Sequence, residues 1–211
     1  MATTLPRLAI LISGRGSNLQ SIIDAVAGGQ LRAEIAIVIS NVAGAPGLAR
    51  AEEAHIPTRV MPHRQWPTRA AYDIALVEAL RSSSVDLVCL AGFMRLLGPG
   101  FIEAFPNRIL NIHPSLLPSF PGLDAQRQAF EHGVAITGVT VHFVNPQLDA
   151  GPIVMQAAVP VLGHESLDAL AQRILAEEHR LYPAAIQRVL DGGWRIEGRR
   201  FVTGADRSTN G

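Results

Sequence analysis

The sequence contains no lysine, and all 18 of its permanently basic residues are arginines. This absence excludes three classes of enzyme in their usual form, because each depends on a lysine side chain. They are the P-loop nucleotide hydrolases with their phosphate-binding lysine, the pyridoxal enzymes with their Schiff-base lysine and the protein kinases with their strand lysine. Among permanent cations, only arginine is left to meet an anionic ligand.

Charge and cysteine are also scarce. Charged residues make up 17% of the 211 residues and the formal net charge is zero, so the basic footprint of a nucleic-acid-binding protein or a polybasic membrane anchor is missing. The single cysteine, Cys89, allows neither an internal disulfide nor a thiolate cluster, and no two histidines have the spacing of a zinc motif. The first apolar run, residues 8–12, is too short for a signal peptide or a membrane span. We therefore expect a cytoplasmic protein without a metal, a nucleic-acid partner or a membrane partner.

Buried strand patterns alternate with amphipathic helix patterns along the first half of the chain. The strands are predicted at residues 8–13, 35–40, 58–61, 87–91 and 109–112, and the helices at residues 18–27, 47–55 and 68–81. Continuous apolar strands that alternate with helices are typical of a parallel sheet covered on both faces.

The second half of the chain has a different pattern. Two strand patterns, at residues 138–144 and 153–161, are joined by a loop with no room for a helix, so at least one strand should run antiparallel. A helix is predicted over residues 166–181, and Pro183 marks a break or the start of a second helix. A hairpin is predicted over residues 194–202. The fold class is therefore α/β, a single domain over residues 1–211 with a Rossmann-like, mostly parallel sheet, helices on both faces and an antiparallel strand in the C-terminal half.

A glycine-containing turn, Ser13-Gly14-Arg15-Gly16-Ser17-Asn18, lies between the first strand and its helix. Free backbone N–H groups and the helix dipole at such a position favour a phosphate group. A dinucleotide site is disfavoured, because Leu19 replaces the third glycine of that fingerprint and the second strand ends in Ser40-Asn41 instead of an acid. A tight turn that only caps the helix is the alternative.

Asn111 and His113 lie two residues apart at the end of a predicted strand, so both side chains project to the same side. Open α/β sheets bind ligands outside the carboxyl ends of their strands. An amide beside an imidazole suits acyl transfer, since the amide can stabilise an oxyanion while the imidazole moves a proton. The alternative is that both side chains only satisfy nearby backbone groups.

Asp149 offers a carboxylate in the loop between the two later strands. A carboxylate beside an imidazole raises the histidine pKa above its ordinary value of about 6.5. The Asp-Ala-Gly sequence is equally typical of a plain turn, and spacing alone does not place Asp149 beside His113. Because no serine elbow or reactive cysteine is present, direct transfer through a tetrahedral intermediate is favoured over a covalent intermediate. His142 is as consistent with a packed core residue as with a site residue.

Four stretches in order along the chain resemble the formyltransferases that use 10-formyltetrahydrofolate. The stretches are Ser13-Gly14-x-Gly16-Ser17-Asn18-Leu19, Leu90-Ala91-Gly92-Phe93-Met94-Arg95, Asn111-Ile112-His113-Pro114-Ser115-Leu116-Leu117-Pro118, and Val141-His142-Phe143-Val144 followed by Asp149-x-Gly151-Pro152. The third stretch is shared by formyl transferases and hydrolases of this kind, and the first points to the phosphoribosylglycinamide formyltransferase branch. The resemblance covers about residues 8–190.

The resemblance implies an activity and a set of site residues. A formyl group would move from N10 of 10-formyltetrahydrofolate, a co-substrate, to the amine of 5-phosphoribosylglycinamide in de novo purine biosynthesis, without a metal. Asn111 would bind the formyl oxygen, His113 would act as the general acid and Asp149 would raise the pKa of His113. The implied ribonucleotide-binding residues are Gly16, Ser17, Asn18 and Glu178. The implied folate-binding residues are Arg69, Met94, Arg95, Leu96, Leu97, Asn111, Asn145 and Leu148.

The resemblance also divides the chain and leaves some alternatives open. It implies a phosphate-binding half over about residues 1–106 and a catalytic and folate-binding half over about 107–203. The sequence itself predicts a frayed tail over residues 204–211. Partners would be small molecules, and the protein would be a monomer or a homodimer. One stretch departs from the family pattern, since Leu123-Asp124-Ala125-Gln126-Arg127 stands where many relatives have a histidine. Any proton relay through that histidine is absent or reassigned here.

Three other functions remain open from the sequence. A methionyl-tRNA formyltransferase or a formyltetrahydrofolate hydrolase would usually carry an additional domain, for which we expect no room in this chain. A non-catalytic module that binds folate or a nucleotide phosphate is disfavoured by the presence of Asn111, His113 and Asp149.

Overall fold

Strands and helices alternate regularly in the computed structural model, which describes residues 4–204. From the N-terminal side the elements are β1 (Arg7–Ile12), α1 (Ser17–Ala27), β2 (Glu34–Ser40), α2 (Gly47–Glu53), β3 (Thr58–Val60), a short 3₁₀ helix (His63–Gln65), α3 (Arg69–Ser82), β4 (Leu87–Leu90), α4 (Pro99–Ala104) and β5 (Ile109–His113). They continue with α5 (Ala125–His132), β6 (Ile136–Phe143), β7 (Ile153–Pro160), α6 (Leu167–Leu190), β8 (Trp194–Glu197) and β9 (Arg200–Thr203).

All of these strands join one sheet in the order β3-β2-β1-β4-β5-β6-β7-β9-β8. The first five strands in that order pair in parallel, whereas β6 runs antiparallel to both β5 and β7. The predicted fold class is confirmed, including the antiparallel strand in the C-terminal half. The predicted hairpin is also confirmed, because β8 and β9 pair antiparallel around a turn near Gly198.

Helices cover both faces of the sheet, and β1 shows why. Its residues from Leu8 to Ile12 are completely buried, and successive strand side chains point to opposite faces. Ile10 and Ile12 belong to an apolar core with α1 and α6, while Ala9 and Leu11 belong to a second core with α3 and α4. A strand that is apolar on both faces can sit only in the middle of such a sandwich.

The expected break at Pro183 is wrong, because α6 continues through this residue to Leu190. A proline inside a helix removes a hydrogen bond and costs about 3 kcal/mol or more. Here the buried face of the helix continues on both sides of Pro183, with Leu181, Tyr182 and Ile186 in the core. Burial of this face offsets the free-energy cost of the proline, because tertiary packing supplies most of the stability of helices in proteins.

The short helices α4 and α5 and the 3₁₀ helix were not predicted from the sequence. Within residues 4–204, no helix is both long and apolar enough to cross a membrane. The predicted tail lies outside the described residues except for Gly204. The division of the chain into two functional halves stays a prediction.

Candidate active site

The carboxyl ends of β1, β4 and β5 meet at one edge of the sheet, because these strands are parallel neighbours. Ser13 follows β1 and ties the turn there to the loop after β4: its N–H donates to the carbonyl of Gly92 at 3.1 Å, and its Oγ accepts from the Met94 N–H at 2.8 Å. The same hydroxyl donates to Oδ1 of Asn41, which follows β2, at 2.6 Å. The glycine-containing turn and the Met94 loop are therefore held together at this edge.

The turn after β1 leaves the start of α1 open. Gly16 precedes the helix in a left-handed conformation, with φ at 70°, and among the described residues no side chain caps the helix. The first backbone N–H groups of α1 are then available to an anion, where the helix dipole adds to the attraction. Gly47 packs against Gly16 and donates its N–H to the carbonyl of Gly14 at 3.0 Å. The start of α2 thus fixes the shape of the turn.

We expect Gly16→Ala to lower the free energy of unfolding by roughly 2–5 kcal/mol, from left-handed strain and overpacking together. The added Cβ would lie 2.6 Å from the Cα of Gly47, a backbone atom that cannot move aside without shifting α2. Denaturant unfolding measures the change. Gly14→Ala is the matched control, because a Cβ there meets no described heavy atom within 4 Å beyond its chain neighbours. Equal stabilities for the two variants would show that the contact between Gly16 and Gly47 is not tight.

Asn18 and Glu178 form a buried pair beside the same turn, although 160 residues separate them in sequence. Asn18 comes from the first turn of α1 and Glu178 from α6, and the amide Nδ2 donates to the carboxylate Oε2 at 2.6 Å. Burial raises the pKa of Glu178 to about 7, and the hydrogen bond from Asn18 opposes part of that rise. Within the described residues, Oδ1 of Asn18 is buried with no hydrogen-bond partner. Two buried acceptors at one place suit a ligand that donates hydrogen bonds.

His113 and Asp149 come together at the end of β5. Nδ1 of His113 lies 3.5 Å from Oδ2 of Asp149, and both side chains are buried. Nε2 of His113 donates to the carbonyl of Phe120 at 2.8 Å. Asp149 has a left-handed backbone, with φ at 48°, and accepts a hydrogen bond from the Gly122 N–H at 2.8 Å. Both ring nitrogens of His113 therefore face oxygen acceptors.

The loop after β5 is held by the neighbouring antiparallel strand. Thr140 lies opposite His113 in the pairing of β5 with β6. Its hydroxyl donates to the carbonyl of Ser115 at 2.7 Å and accepts from the Leu117 N–H at 3.0 Å. These buried hydrogen bonds fix the loop close to where His113 leaves the sheet, so the ring of His113 starts from a rigid backbone.

His142 also belongs to this site. It pairs with Asn111 across the two strands, and Nδ2 of Asn111 lies 3.2 Å from Nε2 of His142. The same Nε2 lies 3.7 Å from Oδ1 of Asp149. Burial lowers the pKa of His142, an effect that the Phe143 carbonyl and Asp149 oppose and that His113 increases. Sequence reasoning left His142 undecided, because only the strand register shows what it faces.

The implied folate-binding residues have mixed surroundings. Met94, Leu96 and Leu148 are large apolar side chains that are exposed, whereas Leu97 is buried. Arg95 stacks over the ring of Tyr72, 5.2 Å from its centroid. Asn111 contacts His142 as described above. Arg69 and Asn145 make local contacts: Arg69 donates to the Leu97 carbonyl at 3.0 Å, and Oδ1 of Asn145 accepts from the Gln147 N–H at 3.1 Å.

The exposed side chains of Met94, Leu96 and Leu148 lie in the loops that follow β4 and β6. Leu123, in the stretch that departs from the family pattern, is exposed as well. Among residues 4–204, no group of three or more His, Cys, Asp or Glu side chains is placed to hold a metal ion.

The chain is similar to known proteins of one family. Residues 6–186 match the formyl transferase family. The chain is 45% identical to the phosphoribosylglycinamide formyltransferase of Escherichia coli (strain K12) over 185 residues, which cover 88% of this chain and 87% of that protein. The crystal structure of glycinamide ribonucleotide transformylase 1 from Symbiobacterium toebii is similar with a TM-score of 0.92 and 53% sequence identity, covering 95% of this chain and 94% of that chain.

A longer relative matches as well. The trifunctional purine biosynthetic protein adenosine-3 of Bos taurus is 49% identical over 190 residues, which cover 90% of this chain. The chain spans 19% of the length of that protein. The similarity to this relative therefore concerns one of its parts.

Proposed function

The chain belongs to the formyl transferase family, and on this premise we propose that it transfers a formyl group from 10-formyltetrahydrofolate to the amine of 5-phosphoribosylglycinamide in purine biosynthesis. The observation that carries the proposal is the convergence of Asn111, His113 and Asp149 at the end of β5. This end lies at the same sheet edge as the open N-terminus of α1. The relatives whose names include phosphoribosylglycinamide support the same acceptor.

The ribonucleotide would bind along the start of α1. Its phosphate would accept hydrogen bonds from the backbone N–H groups at Gly16, Ser17 and Asn18, a role for which the uncapped helix is suited. Its ribose hydroxyls would donate to Glu178 and to Oδ1 of Asn18, which are the two buried acceptors beside the turn. Each group of the ligand then meets a protein group of opposite hydrogen-bonding character.

The reaction would proceed by direct attack of the amine on the formyl carbon. A carbon–nitrogen bond forms, and Nδ2 of Asn111 donates a hydrogen bond to the resulting oxyanion. His113 then donates its Nε2 proton to N10 of the folate as the bond between N10 and the carbon breaks, for which the ligand must replace the Phe120 carbonyl on that nitrogen. The attacking nitrogen gives up one proton, which returns to the now neutral Nε2 of His113, so the ring ends the reaction as it began and protons balance. Asp149 stabilises the protonated ring by charge attraction.

The folate donor would lie across the loops that follow β4 and β6. We propose that the exposed side chains of Met94, Leu96 and Leu148 contact its pterin and benzoyl rings, with Leu97 and Arg95 supporting that loop. Asn145 would help to shape the opposite wall. Arg69 would meet the glutamate carboxylates, because arginine is the only permanent cation in this sequence.

An assay of tetrahydrofolate release from 10-formyltetrahydrofolate, run with and without the ribonucleotide, tests this function. We expect rapid release only when 5-phosphoribosylglycinamide is present. Release at the same rate without the ribonucleotide would indicate a hydrolase and overturn the proposal. No release in either condition, with the donor still bound in equilibrium dialysis, would indicate a non-catalytic binding module.

We expect Glu178→Gln to stabilise the protein at pH 8 and to weaken ribonucleotide binding. The folded pKa of about 7 exceeds the ordinary value of 4.5, so the folded state binds more protons between these values and stability falls as the pH rises through this window. The free energy of unfolding therefore falls by roughly 3 kcal/mol as the pH rises from 4.5 to about 7. Glutamine keeps the hydrogen bond from Asn18 without a buried charge. The KM for the ribonucleotide should rise about tenfold, because a charged acceptor becomes neutral.

Unfolding at pH 5 and pH 8, together with the ribonucleotide KM, checks both parts of this prediction. Glu53→Gln, at an exposed position of α2, is the control and should change neither quantity. A Glu178→Gln protein that is less stable than the parent at pH 8 would contradict the expected effect of burial. An unchanged KM would remove Glu178 from the ribonucleotide site.

A further inference from the structure

We propose that His142 is a positioning residue that orients the side-chain amide of Asn111, so that its NH₂ group and not its oxygen meets the formyl oxygen. This inference rests on the proposed function, because it concerns which end of Asn111 faces the reacting group. His142 itself does not touch the substrate in this account. It acts only through Asn111.

The hydrogen bonds of His142 settle which of its nitrogens carries the proton. Nδ1 lies 2.8 Å from the carbonyl oxygen of Phe143. A carbonyl oxygen can only accept, so Nδ1 must carry a hydrogen. A neutral imidazole has a single N–H, which leaves Nε2 with a lone pair and makes it an acceptor. The Phe143 carbonyl therefore selects the Nδ1–H tautomer of His142. The hydrogen bond at one ring nitrogen commonly decides in this way whether the other nitrogen carries a proton.

The ring of His142 is kept neutral by its surroundings. The residue is only 2% exposed, and burial lowers its pKa below the ordinary value of 6.5. Two titratable groups face it: Asp149, whose charge opposes this effect, and His113, whose charge adds to it. Oδ1 of Asp149 stands 3.7 Å from Nε2, which is too far for a hydrogen bond. The lone pair on Nε2 is thus left for another donor.

Asn111 supplies that donor. Its Nδ2 lies 3.2 Å from Nε2 of His142 and gives one of its two hydrogens to the ring. The second hydrogen on the same nitrogen remains available for the formyl oxygen. If the amide were turned over, its Oδ1 would face the Nε2 lone pair, so two acceptors would meet in a half-buried place. It would also present an oxygen to the developing oxyanion. The neutral His142 ring therefore excludes the unproductive orientation.

The backbone makes this contact rigid. Asn111 and His142 are direct partners in the antiparallel pairing of β5 with β6, where opposite side chains are close neighbours. On the other side of β6 the pairing with β7 is irregular between Val141 and His142. Such irregularities re-aim a side chain near active sites. The amide and the imidazole are both carried by strands, which hold a geometry more firmly than loops do.

A double-mutant cycle on kcat tests the proposal. We expect His142→Leu to lower kcat about three- to tenfold, the equivalent of one hydrogen bond, without changing the KM of either substrate. In an Asn111→Ala background the same substitution should have no further effect, because its only target is gone. His142→Gln should recover part of the loss, since its Oε1 can accept from Asn111 at a similar position. Losses that multiply in the double variant would overturn the proposal and indicate a structural role or one through Asp149.

A second readout needs no catalytic activity. Nitrogen-15 NMR of the unsubstituted protein at pH 7 should show His142 as a neutral ring with its hydrogen on Nδ1. An Nε2–H tautomer or a charged ring would overturn the proposal, because Nε2 would then be a donor and Asn111 would turn its oxygen toward it. If the parent protein transferred no formyl group at all, the proposed function would fail while this tautomer could still be found. The two failures are therefore distinguishable, and the NMR measurement holds even if His142→Leu does not fold.

Discussion

Replacing His113 by alanine should lower kcat by about 10²–10⁴-fold, the usual contribution of a positioned general acid. The expulsion of tetrahydrofolate requires a proton on N10, and in the proposed mechanism His113 is the group that delivers it. The buried carboxylate of Asp149, 3.5 Å from Nδ1, keeps the ring oriented for this task. Because the imidazole acts on the intermediate and not on the bound substrates, the KM values should change little.

Steady-state kinetics with both substrates measure this effect. His164→Ala is the matched control, since His164 lies exposed in the loop before α6, and it should retain the parental kcat. A His113→Ala protein that folds and keeps near-parental kcat would assign the proton transfer to another group. His142 would then be the group to test, because it is the other imidazole beside Asp149.

Replacing Asn111 by alanine should lower kcat by about 10²–10³-fold, the loss usually seen when one oxyanion donor is removed. The amide stabilises charge that exists only in the transition state and the intermediate, so the loss should fall on kcat and leave the substrate KM values nearly unchanged. Asn111→Asp should be at least as impaired, because a carboxylate keeps the shape but offers an acceptor where a donor is needed.

The same kinetic assay checks the Asn111 variants. Gln172→Ala, on the exposed side of α6, serves as a control for the loss of an amide side chain and should leave kcat unchanged. Denaturant unfolding should show that Asn111→Ala remains folded, because Asn111 is half-buried and its one side-chain hydrogen bond within residues 4–204 is to His142. Near-parental kcat in a folded Asn111→Ala protein would contradict an oxyanion role for this amide.

The parallel half of the fold was predictable from the sequence because its signals are local. The strands β1, β2 and β4 are almost entirely apolar and buried, and such runs bounded by turns are typical of a sheet covered on both faces. The helices that were not predicted and the wrong break at Pro183 have physical causes. Neither α4 nor α5 carries a clear apolar stripe, since α4 buries Phe101 and α5 buries Ala125 and Ala129. At Pro183 the local signal predicts a break, but burial of the α6 face on both sides outweighs it.

The candidate site was predictable only in part. Asn111 and His113 could be identified from the sequence, because residues two apart on one strand point to the same face of the sheet and this relation needs no tertiary information. Asp149 was tied to His113 only by resemblance to a family, since nothing in the spacing places a loop beside a strand. The contact between Asn111 and His142 depends on the β5–β6 register, and the pair of Asn18 and Glu178 depends on how α6 packs against α1. Such relations come from tertiary packing, which short stretches of sequence do not encode.

The proposed function of this chain is the transfer of a formyl carbon from a folate to a ribonucleotide amine. The most direct test uses 10-formyltetrahydrofolate labelled with carbon-13 in the formyl group and follows the label by NMR in the presence of 5-phosphoribosylglycinamide. We predict that the label appears in the formyl amide of the ribonucleotide product, in proportion to the tetrahydrofolate released. Label that appears in free formate instead, or that stays on the folate, would overturn the proposed transfer.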